Sequence, residues 1–350
     1  MENRMAVPGE MRALLLTNDG YAAEHSGTAL EAMEPYLAAG RIAVPQPGPS
    51  QVLIRVHLAA INPSDVMFVK GLYGQPRRKD RPAGFEGVGE VVAGGDEAAA
   101  QALIGQRVAF ATGRSDWGAW AEYAVAEARG CIPVIPELRD EDAAAMIVNP
   151  LTALALFDIV REEGEKSFVL TAGASQLGKL IIGLARDEGF RAIAIVRRDD
   201  QIPLLEQAGA AHVLNGNAPD FAARIAALCK AEGPRVLLDA ITGPHASTAF
   251  HAMGRRSRWV IYGQMETAET VIQQPGQFIF QDKRVESFWL TEWMRRASAE
   301  QRAAAVTQAQ RRFADGRWRT DVTAVVPLDE AMARVAQELA LPNGKVFIRP

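Results

Sequence analysis

Ser167-Phe-Val-Leu-Thr-Ala-Gly-Ala-Ser-Gln-Leu-Gly-Lys179 decides how this chain is to be read. An apolar run stops at Gly173 and restarts after Gly178 as a helical pattern, Leu180-Ile-Ile-Gly-Leu-Ala-Arg186. Such a junction sets backbone N–H groups at a helix N-terminus, where the helix dipole favours a phosphate. Gly173-Ala174-Ser175-Gln176-Leu177-Gly178 is a G-x-S-x-x-G loop, with serine in the middle place of the dinucleotide fingerprint. A small side chain there still lets a pyrophosphate approach, and its hydroxyl can donate. G-x-x-x-x-G turns also cap ordinary helices, so the loop does not decide alone.

The next apolar run, Arg191-Ala-Ile-Ala-Ile-Val196, ends in Arg197 and Arg198. Doubly wound folds meet the adenosine ribose at the end of this second strand. A carboxylate there accepts from a 2′-hydroxyl, whereas two arginines suit a 2′-phosphate. The pair therefore points to NADPH. The plainer alternative for either arginine is a solvated strand end.

Outward from this motif, 350 residues are enough for two domains. A net charge of −4 argues against nucleic acid as the main partner. Two cysteines, Cys131 and Cys229, form neither a disulfide framework nor a zinc knuckle. They suit a reducing compartment, and a cytoplasmic location is expected. The longest apolar run, Ala143 to Phe157, is broken by Asn149-Pro150 and is too short to cross a bilayer, so no membrane partner is expected. The start, Met1-Glu-Asn-Arg-Met-Ala-Val-Pro8, lacks the apolar core of a signal peptide.

From Met11 to about Tyr123 short apolar runs such as Gln51–Leu58, Gly84–Val92 and Arg107–Phe110 predict a β-rich domain. From Asn149 strand and helix alternate. Strands are expected at 168–172, 191–196, 235–241 and 258–263, with helices at 177–187, 199–209 and 219–232. Alternation with short connections predicts a parallel sheet covered on both faces. Lys283–Leu290 reads as its last strand. Asp321–Val326 and Gly344–Arg349 are β segments expected to rejoin the first domain. The expected division is 1–148, completed by 291–350, around a nucleotide-binding domain of 149–290.

Five segments in this order carry a resemblance over nearly the whole chain. They are Ile61-Asn-Pro-Ser-Asp65 with Lys70-Gly-Leu-Tyr-Gly74, Gly84-Phe-Glu-Gly-Val-Gly89, Val148-Asn-Pro-Leu-Thr152, Ala172–Lys179 and Phe280–Leu290. Together they resemble the medium-chain dehydrogenase/reductases, and within them the zinc-free quinone reductases and 2-enoyl thioester reductases. The resemblance implies an α/β fold, a β-rich GroES-like domain plus a Rossmann doubly wound parallel-sheet domain. It implies a homodimer paired through the Lys283–Leu290 edge, and a quinone or enoyl acceptor, including a coenzyme A or carrier-protein thioester.

Zinc-bearing relatives hold their metal with two cysteines and a histidine, and this chain has Asn62, Phe85 and Val148 there. None suits Zn²⁺, and no pair among His25, His57, His212, His245 and His251 has ligand spacing, so no metal is expected. Asp65 and Glu86 read as buried acceptors. Without a Lewis acid, an acceptor that disperses its own charge is the natural partner of a hydride.

By the resemblance, Tyr73 is the proton donor, and a phenol with pKa near 10 is protonated at neutral pH. Asn62 is expected near the reacting atoms, and Asn149 and Thr152 on the nicotinamide side. Tyr262 and Gly263 are expected under the dinucleotide, Phe288, Trp289 and Leu290 around the ring, and Lys345 at the cofactor phosphates. Each has an ordinary alternative in packing or solvation, Trp289 most of all. Arg77-Arg-Lys79 and Arg81 are either a solvated run or a grip on thioester phosphates. A protein that binds NADPH without catalysis, as redox sensor or interaction partner, stays open beside the reductase.

Overall fold

Six short apolar runs within Asn149–Ala309 pair as a single parallel sheet. In space they run His212–Asn215, Arg191–Val196, Ser167–Leu170, Val236–Asp239, Arg258–Ile261 and Arg284–Ser287. Numbered along the chain, the order is 3-2-1-4-5-6, the doubly wound dinucleotide-binding order. Ser167–Leu170 and Val236–Asp239 are buried at every position, which is why they read as apolar runs without alternation. Helices Phe221–Glu232 and Gly243–Ala252 cover one face through Ile225, Ala249 and Phe250. Phe157, from helix Val148–Glu163, packs edge-on against Phe168, which faces the other way. The structure, a computed structural model, describes residues 7–24, 26–113, 117–341 and 344–350. His25 lies outside them.

Met1–Val148 with Gln310–Pro350 forms the other unit. Its main sheet has seven strands centred on Gln51–Ala60, which pairs antiparallel with Glu86–Gly94, Tyr123–Glu127 and Lys345–Arg349. Val322–Pro327 adds in parallel beside Lys345–Arg349, so the end of the chain does return to the first unit. Glu10–Leu16 and Leu37–Ala43 form a separate two-stranded ribbon.

Three expectations need correction. Residues 291–309 belong with the parallel-sheet unit, not with the β-rich one. Lys283–Leu290 is a strand only over Arg284–Ser287, and Leu290 opens the helix Leu290–Arg296. Asn149-Pro150 does not break the apolar run: both lie in the first turn of Val148–Glu163. Proline is tolerated there because its missing N–H has no intrahelical partner to lose. No helix among the described residues is long and apolar enough to cross a membrane.

Candidate active site

The strand Ser167–Leu170 passes through Thr171–Ala174 into the helix Gln176–Asp187. Ala172 makes the bend with φ of 50°, a left-handed conformation unusual for a residue with a side chain. Gly173 N–H donates to Ile195 O at 3.1 Å, tying the loop to the neighbouring strand. Ser175 is the N-cap, and its Oγ accepts from Gly178 N at 3.0 Å. That bond uses an acceptor lone pair and leaves the hydroxyl proton to donate. Gln176 and Leu177 take the first two helical positions, where a helix offers its own amides no carbonyl. Gly178 must be glycine, because a Cβ would lie 2.4 Å from Gly173 O and 2.7 Å from Ala172 O. The result is a cradle of backbone amides closed at its base by contact too tight for any side chain. Such a cradle fits a dinucleotide pyrophosphate.

Arg197 and Arg198 are exposed at the end of Arg191–Val196. Arg198 Nε donates to Asp200 Oδ1 at 2.9 Å, an exposed pair that a phosphate can displace at little cost. Asn149 is half-buried and Thr152 buried, both in the first turns of Val148–Glu163.

Three neighbouring strands are joined by Asp239, which the sequence alone does not single out. It is fully buried and accepts from Thr171 Oγ1 at 2.6 Å, Trp259 Nε1 at 2.7 Å and Ile241 N at 3.0 Å. Burial pushes its carboxyl above the ordinary range, opposed by these hydrogen bonds. It also accepts from the N–H of Thr242, whose φ of 62° and ψ of −155° belong to a region populated almost only by glycine. The only signal in sequence was a carboxylate closing an apolar run, Val236-Leu-Leu-Asp239. Tyr262 N donates to Asp239 O, and the Tyr262 hydroxyl is buried with no hydrogen-bond partner among the described residues, an orphan that a bound group would satisfy. Burial raises that phenol further above its usual pKa. A Cβ on Gly263 would lie 2.8 Å from Ala240 O. Phe288 N donates to Ile261 O, Phe288 and Leu290 are half-buried, and Trp289 is 36% exposed as the N-cap of Leu290–Arg296.

In the β-rich unit, Tyr73 packs on Phe85 with ring centroids 5.1 Å apart, and Phe85 packs on Phe68 at 5.0 Å. Two buried cations fix the Tyr73 loop. Lys70 Nζ donates to the carbonyls of Ser26, Gly27 and Ala29, and Arg77 to those of Gly20 and Val69.

Asn62 and Lys345 do not stand where they were expected. Asn62 is 1% exposed, and its Nδ2 donates to Glu86 Oε1 at 2.8 Å. Its Oδ1 accepts from Lys345 Nζ, which also donates to Ile61 O at 3.3 Å. Glu86 Oε2 accepts from the backbone of Ile147 and Val148, and Asp65 from the backbone of Asn62 and Phe85. Asn62 is thus a buried link between Glu86 and Lys345. The Lys345 ammonium points into the same cluster, 5% exposed, and does not reach outward to a phosphate. Asp65 and Glu86 are the buried acceptors expected of them. Burial is the leading influence on all three ionisable groups, lifting Asp65 to about 7, raising Glu86 and lowering Lys345.

The zinc positions of the related enzymes are filled by groups that cannot hold the ion. Asn62 is committed to Glu86 and Lys345, Phe85 to two aromatic rings, and Val148 carries no donor atom. Among the described residues no group of three His, Cys, Asp or Glu is placed to hold a metal.

Known proteins agree with this geometry. Residues 48–137 match the family described as Alcohol dehydrogenase GroES-like domain, and residues 177–307 the family described as Zinc-binding dehydrogenase. A solved structure from Mesorhizobium loti, of a candidate NADPH:quinone reductase, is 67% identical and superposes with a TM-score of 0.96 over 99% of this chain and 100% of that one. Prostaglandin reductase-3 from Bos taurus is 27% identical over 72% of this chain and 67% of its own length. The mitochondrial enoyl-[acyl-carrier-protein] reductase from Homo sapiens is 28% identical over 85% and 77%. With two domain families matched in order, a near relative along its whole length and Asn62, Phe85 and Val148 at the zinc positions, the chain belongs to the zinc-free quinone reductase and 2-enoyl thioester reductase branch of the medium-chain dehydrogenase/reductase superfamily.

Proposed function

We propose that this protein is an NADPH-dependent reductase that delivers hydride to a quinone or to the activated C=C bond of an enoyl thioester or enone. The observation that carries the reading is the amide cradle of Gly173–Gly178 beside a strand that ends in Arg197 and Arg198. The Mesorhizobium loti relative supports it, being described as a candidate for the same cofactor and a quinone. When bound, NADPH supplies the hydride. The amides of Gln176 and Leu177 with the Ser175 hydroxyl hold its pyrophosphate, and Arg197 and Arg198 its 2′-phosphate. Asn149 and Thr152 orient the nicotinamide. Tyr262 and Gly263 would help to hold the dinucleotide, and Phe288, Trp289 and Leu290 would hold its ring.

Hydride addition to an enoyl acceptor leaves an enolate that needs a proton at carbon. Tyr73 is the acid in this reading, held by the Lys70 and Arg77 anchors of its loop. A quinone's reduced oxygens exchange protons with water unaided. Tyr73→Phe is therefore expected to slow enoyl reduction by about 10²–10⁴-fold while quinone reduction falls no more than a fewfold. The check is kcat for 1,4-naphthoquinone and crotonyl-CoA at saturating NADPH. Equal losses would make Tyr73 a pocket wall. Failure of the wild type to oxidise NADPH with either acceptor would favour a binding protein without catalysis.

The protein is also inferred to be a homodimer. Arg284–Ser287 ends the parallel sheet with one paired side, and Ile279, Phe280 and Val285 beside it are 75%, 72% and 41% exposed. An open sheet edge is a template for pairing. A reducing, cytoplasmic setting fits both cysteines, which are free and buried, with thiols pushed up to about 12 for Cys131 and about 11 for Cys229.

A further inference from the structure

Just past two neighbouring strands of the parallel sheet, the chain adopts backbone that side chains disfavour. Ala172, after Ser167–Leu170, has φ of 50°, and Thr242, after Val236–Asp239, has φ of 62°. Such conformations persist only where the surroundings impose them, and they gather at functional sites. One pair of buried side chains stands between the two bends. Thr171 Oγ1 accepts from Ala240 N at 2.9 Å and donates its single proton to Asp239 Oδ1 at 2.6 Å. Asp239 Oδ1 also accepts from Ile241 N at 3.0 Å, Oδ2 accepts from Trp259 Nε1 at 2.7 Å, and Thr242 N lies 3.2 Å from each oxygen.

The pair is tied to two segments at once. On one side, Thr171 leads directly into Ala172 and Gly173, whose carbonyls form the tight base under Gly178. On the other, the turn Ala240–Thr242 carries the stretch that follows Tyr262-Gly263: Met265 N donates to Ala240 O at 3.2 Å and Glu266 N to Ile241 O at 3.0 Å. Gly263 itself rests so close to this turn that a Cβ would lie 2.8 Å from Ala240 O. A carboxylate is the group this position demands, because both of its oxygens meet donors. An amide would set its NH₂ against the N–H of Ile241 in one orientation and of Trp259 in the other.

We propose that Asp239 and Thr171 act as one positioning pair for the dinucleotide, holding the phosphate loop and the Tyr262–Glu266 stretch at the spacing that NADPH binding requires. The pair acts through the backbone on either side of it and supplies no group to the cofactor. This deepens the reductase reading and rests on its NADPH site. The competing role is plain cross-strand glue, which would stabilise the sheet and leave cofactor affinity alone.

The test is NADPH affinity of the full chain by fluorescence titration, without an acceptor, with a melting curve for each variant. Thr171→Val keeps the shape and removes the hydroxyl, whereas Thr171→Ser keeps the hydroxyl. Valine is expected to weaken NADPH about tenfold, the scale of one charge-assisted hydrogen bond, and serine to stay within twofold of the wild type. Asp239→Asn should weaken it tenfold or more. Thr171→Val/Asp239→Asn should be no worse than the poorer single variant, because both changes break one link. Ile225→Val, in the core beneath helix Phe221–Glu232, should lower the melting temperature and leave NADPH affinity unchanged, which separates positioning from general loosening. Should the Asp239 variants fail to fold, the valine and serine pair carries the test. A lower melting temperature with unchanged affinity in Thr171→Val overturns the proposal in favour of glue. Equal weakening by valine and serine, or additive losses in the double variant, also overturn it. A wild type that does not bind NADPH sinks the cofactor reading itself, and the proposal with it.

Discussion

Lys345 shows how burial changes the meaning of a residue. On the sequence it is a cation near the end of the chain, available to a phosphate. In the fold its amine is enclosed with Asn62, Glu86 and Asp65, where burial lowers its pKa and the two carboxyl groups oppose that shift. Removing one partner of a buried charged set is far more costly than never having built it, about 3–5 kcal/mol, because the remaining charge has no counterpart. Lys345→Met is therefore expected to lose about that much stability in urea unfolding, and Lys345→Met/Glu86→Gln to recover part of it. NADPH KM of the folded variant should stay within about twofold. A selective rise in NADPH KM with stability unchanged would return Lys345 to the cofactor phosphates.

At the scale of elements, the phosphate loop depends on contact distance as much as on composition. Gly178→Ala places a methyl 2.4 Å from Gly173 O, a clash with backbone that only a shift of the helix start can relieve. The expected outcome is a rise in NADPH KM of tenfold or more, with about 1–3 kcal/mol of lost stability. Steady-state kinetics and a melting curve check both, and an unchanged KM would remove the loop from cofactor binding. The loop and its neighbours were legible because glycine spacing and continuous apolar runs are local signals. Helices 176–187 and 221–232 and strands 191–196 and 258–261 fall within a few residues of expectation. The strand His212–Asn215 and the helix Gly243–Ala252 did not show. Four residues give no period to read, and Gly243-Pro244 looks like a turn where it is a helix start. Of the site, the cradle and the paired arginines could be read from sequence. Asp239 and the enclosure of Asn62 and Lys345 could not, since burial is set by strands distant along the chain.

For the whole molecule, the exposed sheet edge carries the first consequence. Ile279 and Phe280, on the helix Gly276–Gln281, are 75% and 72% exposed and are the apolar surface that the proposed dimer would cover. The protein should sediment at about twice its 37.9 kDa chain mass, and Phe280→Asp/Ile279→Asp should shift it towards the monomer. A wild type that sediments as a single chain at micromolar concentration would contradict the dimer. The central claim, that Arg197 and Arg198 make this a reductase that selects NADPH, has a more direct test. Each charge-assisted hydrogen bond to the 2′-phosphate contributes about 1.5–3 kcal/mol, which is roughly tenfold or more in discrimination. The measurement is kcat/KM for NADPH and NADH with 1,4-naphthoquinone, in the wild type and in Arg197→Ala/Arg198→Ala. The account predicts a preference for NADPH of tenfold or more that falls towards unity in the double variant. Equal use of both cofactors by the wild type, or a preference untouched by losing both arginines, would contradict it.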